Sequence, residues 1–244
     1  MRSAYCLLPS RRAVLAAGFA AGFAPLGCTA AKGQGMKQVF LLGDSVFDNA
    51  AYVPRQPDVR RQVQALMPPE FAVQLAARDG AVMDDVFAQM RKVPRSATHL
   101  IVSAGGNDAL QASGLLNERA SSVADAIEKL GLIADRFGER YSAMLDALQS
   151  RDIPAAVCTI YEPPFPDRQR RKISATALAV LNDQITRHAF SRGVTVIDLR
   201  IIFDRDEDFA NPIEPSVIGG AKLARAILTF VTGAPPSGTV IASK

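Results

Sequence analysis

Five short apolar runs, each ending in a cluster of Gly, Asp, Ser, Asn or Pro, set the strongest constraint on how this chain folds. They are Gln38–Leu42, Phe71–Ala77, His99–Ser103, Ala155–Ile160 and Val194–Leu199. Their near-continuous Val, Ile, Leu and Ala fit strands buried on both faces of a parallel sheet. Segments of helical character separate them: Asp58–Met67, Val82–Arg91, Ala120–Ser150, Arg168–Ser191 and Ser216–Val231. In the fourth of these, Ile173, Leu178, Leu181, Ile185 and Phe190 are spaced for one buried face. The third is expected to break around Gly131 and at Phe137-Gly138. Ser216 is placed to cap the last helix. Alternating strands and helices predict a three-layer α/β/α sandwich around a five-stranded parallel sheet, flavodoxin-like in plan.

With 244 residues, 48% hydrophobic and 21% charged, the chain is long enough for one sizeable core and too apolar for a disordered one. The domain is read as 36–232, behind a leader at 1–35 and ahead of a loose tail at 233–244. The net charge of +4 does not point to nucleic acid, because Arg2, Arg11, Arg12 and Lys32 of the leader account for all of it. The body is neutral.

The leader places Arg11-Arg12 before an Ala/Gly/Phe-rich run that ends at Leu26, shorter than the roughly 20 residues a membrane span needs. Its Ser-Arg-Arg-x-x-Leu arrangement resembles a twin-arginine export signal. Two processing sites compete. Pro25-Leu26-Gly27-Cys28 is an imperfect lipobox that would leave a lipidated, membrane-anchored Cys28, whereas Thr29-Ala30-Ala31 suits ordinary signal cleavage. The alternative is a cytoplasmic protein starting at Met36. Cys158 is the one cysteine of the body, so no disulfide is expected there, and its apolar surroundings read as core.

In a parallel sheet, ligands bind beyond the carboxyl ends of the strands. Gly43-Asp44-Ser45 follows the first run, Gly80 the second, and Gly106-Asn107-Asp108 the third. A serine hydroxyl in a tight turn, backbone N–H groups and an asparagine amide at one sheet edge suit acyl transfer through a nucleophilic serine. Each motif alone is ordinary turn chemistry; their joint placement is specific.

With these three motifs the chain resembles the SGNH/GDSL hydrolase family over most of 37–232. The resemblance implies hydrolysis of ester-linked acyl groups on a small molecule or glycan, without cofactor or metal. It also implies Ser45 as nucleophile, with the Ser45 N–H, the Gly80 N–H and the Asn107 side chain around the oxyanion. The family's Asp-x-x-His before the last helix is replaced by Asn211-Pro212-Ile213-Glu214. The chain's two histidines, His99 and His188, fall at the opposite edge of the sheet, so neither is expected to serve Ser45. Glu214 becomes the base candidate, held between Pro212 and Pro215, with Asp48 behind it.

Other polar residues receive local roles. Asp44 is expected to make turn hydrogen bonds, and Asp108 to cap the helix after Asn107. Tyr161 and Glu162 are expected to line or cover the pocket. Asp204, Asp206, Glu207 and Asp208 read as a solvated loop, and Arg168, Arg170, Arg171 and Lys172 as a solvated helix face or a contact for anionic lipid. The competing functional reading is a degenerate hydrolase that binds a carbohydrate or acyl ligand without turnover. A flavodoxin-like phosphate or nucleotide binder is disfavoured, since no glycine-rich phosphate motif follows the first strand.

Overall fold

The computed structural model describes residues 35–233 and 241–242. The twin arginines and Cys28 lie outside the described residues. Five parallel strands form the sheet: β1 (Lys37–Gly43), β2 (Phe71–Leu75), β3 (Ala97–Ser103), β4 (Ala155–Cys158) and β5 (Thr195–Ile197). Around them run α1 (Val59–Leu66), α2 (Met83–Lys92), α3 (Gly106–Ala112), α4 (Val123–Gln149), α5 (Arg168–Ser191), α6 (Leu199–Ile202) and α7 (Val217–Thr232). A hairpin of β6 (Phe209–Asn211) and β7 (Glu214–Pro215) precedes α7. The two-residue β8 (Ile241–Ala242) adds an antiparallel sixth strand to the edge beside β5. Among the described residues, no helix is long and apolar enough to cross a membrane.

The strand order β2-β1-β3-β4-β5-β8 puts the reversal of winding between β1 and β3. In such a sheet the loops after these two strands diverge and leave a crevice. The strands are apolar on both faces because both are covered. Phe40 and Leu42 of β1 join Leu100, Val102 and Val157 against α2, α4 and α5. Val39 and Leu41 join Ile101, Ala156 and Ile197 against α1, α6 and α7. Period-two alternation thus sends one strand into two separate cores. Cys158 belongs to the second core, and burial pushes its thiol up.

Two expectations about the elements need correction. Helix α4 is unbroken over its 27 residues. Gly138 does not interrupt it but admits close approach of α5: a Cβ there would lie 2.4 Å from Gln184 Oε1. Tertiary packing outweighs the local cost of a mid-helix glycine. Strand β4 is shorter than expected, ending at Cys158. Asn182 of α5 takes both hydrogen bonds of Ile160, accepting from its N–H and donating to its carbonyl, each at 2.8 Å. The chain therefore leaves the sheet with its backbone still satisfied.

The histidines are at the far edge, as expected. His99 is paired with Val39 near the start of β1 and packs against Phe71 and Phe230. His188 lies near the end of α5 beside Arg192. Burial, first, and a neighbouring cation lower both imidazoles.

Candidate active site

Strand β1 ends in Gly43, whose φ of +113° turns the chain sharply into Asp44 and Ser45. A Cβ at this position would sit 1.7 Å from the Ser103 carbonyl oxygen, which accepts from the Asp44 N–H at 3.1 Å. Only glycine fits so close to β3. The same peptide is clamped by Gln89 of α2, which accepts from Gly43 N–H at 2.6 Å and donates to Gly43 O at 2.8 Å. Ser45 is thereby fixed in a buried turn at the sheet edge. Its own N–H meets no acceptor among the described residues.

Asn107 stands in the first turn of α3, beyond β3. One amide hydrogen is donated to Ala81 O at 2.9 Å, and the second remains free. Gly80 precedes Ala81 in the β2–α2 turn with φ +77°. It is exposed and is not among the residues lining the pocket. Its N–H, like that of Ser45, has no acceptor among the described residues.

Glu214 reaches the same pocket from β7. Its peptide is held on both sides: Tyr161 Oη donates to Ile213 O, and Asn49 Nδ2 donates to Pro215 O at 3.1 Å. Asn49 is wholly buried and also accepts from Val59 N–H, the first residue of α1, at 2.9 Å. Four residues after the serine, it ties the serine turn, α1 and the Glu214 strand together. The Glu214 side chain is only 4% exposed, and its Oε2 has no hydrogen-bond partner. Burial raises its carboxyl to about 7, and hydrogen bonding by the Ser45 hydroxyl opposes the rise. Asp44, wholly enclosed, is likewise raised to about 7 by burial, against the Val46 N–H and the Ser103 hydroxyl. A carboxyl near 7 is a far better proton acceptor at neutral pH than an ordinary glutamate.

Ser45, Asn107 and Glu214 thus open on one pocket of about 130 Å³, with Asp44 and Ser103 beside them. Neither histidine lines it. Asp48 is not part of it either: its carboxylate accepts from Asp79 N–H at 3.0 Å. Asn211 is exposed and closes a local turn with Ile213 N–H. Tyr161 lines the pocket and Glu162 does not.

Two polar readings change. Asp108 caps α2 rather than its own helix, accepting from Met83 N–H at 3.0 Å, and pairs with Arg140. The acidic loop is only partly solvated. Asp208 is wholly buried, accepting from Lys222 Nζ at 2.7 Å and from Arg205 N–H at 3.1 Å. Its backbone carbonyl accepts from Ser216 N–H, the cap of α7, so this pair braces the hairpin that carries Glu214. Asp206 is paired with Arg171, while Arg170 stacks over Phe165. No group of side chains suited to a metal ion occurs among the described residues.

Residues 41–218 match the GDSL-like Lipase/Acylhydrolase family. The chain belongs to that family. No curated protein sequence matches it. Solved structures share its fold at low identity. A lipase from a goat rumen metagenome has 17% identity and a TM-score of 0.62 over 80% of this chain and 97% of that one. An extracellular lipase from Streptomyces rimosus has 16% identity and a TM-score of 0.60 over 82% and 100%. A variant of an acetyl xylan esterase from Geobacillus stearothermophilus has 15% identity and a TM-score of 0.59 over 83% and 98%. Membership of this family supports ester hydrolysis by the protein, and the neighbours, all below 25% identity, share its fold.

The sequence pointed to Ser45, Asn107 and Glu214 and missed Asn49 and Gln89. Gln89 leaves a weak trace as a polar residue beside the apolar positions Met83, Val86 and Met90 of α2. Asn49 leaves none, since its partner Pro215 is 166 residues away.

Proposed function

We propose that this protein is a serine ester hydrolase in which Glu214, rather than a histidine, serves as general base to Ser45. The observation that carries the reading is the opening of Ser45 and the raised carboxyl of Glu214, whose Oε2 is without a partner, on one pocket. Ser45 Oγ attacks the ester carbonyl carbon as its proton passes to Glu214. The resulting oxyanion meets the Ser45 N–H and the free Asn107 amide hydrogen. Collapse breaks the ester C–O bond, and the Glu214 carboxyl returns the proton to the departing alcohol. Water then attacks the acyl-serine carbonyl as Glu214 takes its proton; the acyl C–Oγ bond breaks, Glu214 returns the proton to Ser45 Oγ, and the acid is released. Asn49 positions Glu214 and does not touch the reacting atoms. The twin-arginine-like leader supports placing this reaction outside the cytoplasmic membrane.

A binding protein without turnover is favoured by one observation, the replacement of the family's Asp and His by Asn211 and Glu214. Hydrolysis of p-nitrophenyl butyrate by wild type, Ser45→Ala and Glu214→Gln, with fluorophosphonate labelling of Ser45, separates the two. Wild-type turnover lost in both variants supports the Ser45–Glu214 mechanism. No turnover and no labelling in wild type supports the binder.

A further inference from the structure

Glu214 sits where the backbone cannot hold a side chain still by itself. It follows Pro212 and Ile213, the turn of a hairpin whose strands are three and two residues long. An isolated two-stranded hairpin is marginal in water, so the direction of the Glu214 side chain must be fixed from outside. A base that serves a nucleophilic serine is in turn aimed by a third group. Asn211, which stands in the place of the family's aspartate, is exposed and spends its side-chain oxygen on Ile213 N–H at 3.0 Å. It locks the turn, but the aim has to come from elsewhere.

Tyr161 supplies an outside anchor. Its hydroxyl donates to Ile213 O, the carbonyl of the peptide that leads directly into Glu214. With Asn211 on the N–H, both backbone groups of Ile213 are taken. The ring is 8% exposed and packs on Phe203 and Phe209, with centroids 5.4 and 5.2 Å away and those two 5.5 Å from each other. Phe209 lies on β6 opposite Pro215, so the same cluster also holds the strand that Glu214 pairs with. The backbone that carries Tyr161 is pinned in its turn. Asn182 takes both hydrogen bonds of Ile160, and the Thr159 hydroxyl donates to Asp198 and accepts from Leu199 N–H. Burial, first, and the carboxyls of Asp44 and Glu214 push the phenol well above its usual range, so it keeps its proton and remains a donor at neutral pH.

We propose that Tyr161 is a positioning residue: its hydroxyl, mounted on the Phe203 and Phe209 rings, fixes the Ile213–Glu214 peptide and so aims the Glu214 carboxyl at Ser45, without touching the reacting atoms. The inference rests on the reading of Glu214 as base. Asn49 holds Pro215 O on the other side, so loss of the Tyr161 hydroxyl frees one side of Glu214 and leaves the hairpin in place. The freed carboxyl turns toward water, where it ionises at lower pH. The titratable groups that face it, Asp44, Tyr52, Asp79 and Tyr161, are all acids, so its titration reports how much of its burial survives.

The test compares wild type, Tyr161→Phe, Glu214→Gln and the double variant on p-nitrophenyl butyrate. Tyr161→Phe keeps the ring and its cluster and deletes the hydroxyl alone. Its kcat is expected to fall about tenfold to a hundredfold, with KM held within about twofold. In the Glu214→Gln background the same change is expected to move kcat by less than about twofold, because no base remains to be aimed. NMR of the labelled Glu214 carboxyl carbon is expected to show titration at about 7 in wild type and lower in Tyr161→Phe. A tyrosine that only braces the fold would lower the unfolding temperature in both backgrounds and leave the kcat ratio and the titration unmoved. That result, or a Tyr161→Phe protein that does not fold, overturns the proposal. Turnover lost in Glu214→Gln but kept in Tyr161→Phe removes the positioning role and leaves Glu214 as base. If wild type shows no turnover, or Glu214→Gln matches it, the base reading falls; a lowered titration in Tyr161→Phe then still shows that the hydroxyl holds this carboxyl, and an unmoved one sinks both.

Discussion

Replacing Glu214 by Gln should make the protein more stable and less active, and by an amount that depends on pH. Glu214 is almost wholly buried, and burial lifts its carboxyl from 4.5 to about 7. Between those two values the folded protein holds the proton more tightly than the unfolded chain does. Stability therefore falls as pH rises through the window, because the native state must ionise a carboxyl in a site that disfavours charge. A rise from 4.5 to about 7 corresponds to about 3 kcal/mol at 1.36 kcal/mol per pH unit. Solvent entering the open pocket screens part of this, leaving about 2 kcal/mol. Gln keeps the shape and never ionises. Urea unfolding of wild type and Glu214→Gln should thus show a gain of about 2 kcal/mol for the variant at pH 8, or about 4–8 °C in Tm, and less than about 1 kcal/mol at pH 5. In the same preparations, kcat on p-nitrophenyl butyrate should fall by about 10²–10⁴, the range for loss of a general base. Wild-type activity should rise with pH through about 7. An equal effect on stability at both pH values, or a loss at pH 8, would refute the claim that the fold holds this carboxylate at a cost.

Three further outcomes follow from the neighbours of the site. Asn49→Ala leaves Val59 N–H and Pro215 O without their buried partner and should cost about 2–4 kcal/mol in denaturant unfolding. It should also reduce kcat more than KM, since Glu214 loses its anchor. Gly219→Ala should destabilise by more than about 2 kcal/mol in thermal unfolding, although alanine favours helix by about 1 kcal/mol, because its Cβ would lie 2.2 Å from Asp208 O. Lys222→Met strands the buried Asp208 carboxylate and should cost about 3–5 kcal/mol at pH 7 by urea titration, with most of the loss recovered in Lys222→Met/Asp208→Asn.

Much of this protein was legible in its linear order. Apolar runs punctuated by Gly43-Asp44-Ser45, Gly80 and Gly106-Asn107 dictate parallel strands with polar loops at one edge, because strand periodicity and turn chemistry are local properties. The exclusion of His99 and His188 followed from the same logic: a position along a strand or a returning helix sets which edge a side chain can reach. Glu214 was marked as a base candidate only because it occupies the place of the family's histidine.

What tertiary structure alone decided is of another kind. Gly131 and Gly138 read as helix breaks, yet α4 is continuous, and at Gly138 the packing of α5 outweighs a glycine's cost of about 1 kcal/mol. Asp208 read as solvated, yet it is buried with Lys222. Asp108 caps a neighbouring helix, Gln89 holds the serine turn from a remote site, and Asn49 ties that turn to Pro215, 166 residues away. Above all, the raised carboxyl of Glu214 has no sequence signature. Its surroundings come from β1, β7 and the loop after β4, and desolvation depends on every atom within a few ångströms, whatever its distance along the chain.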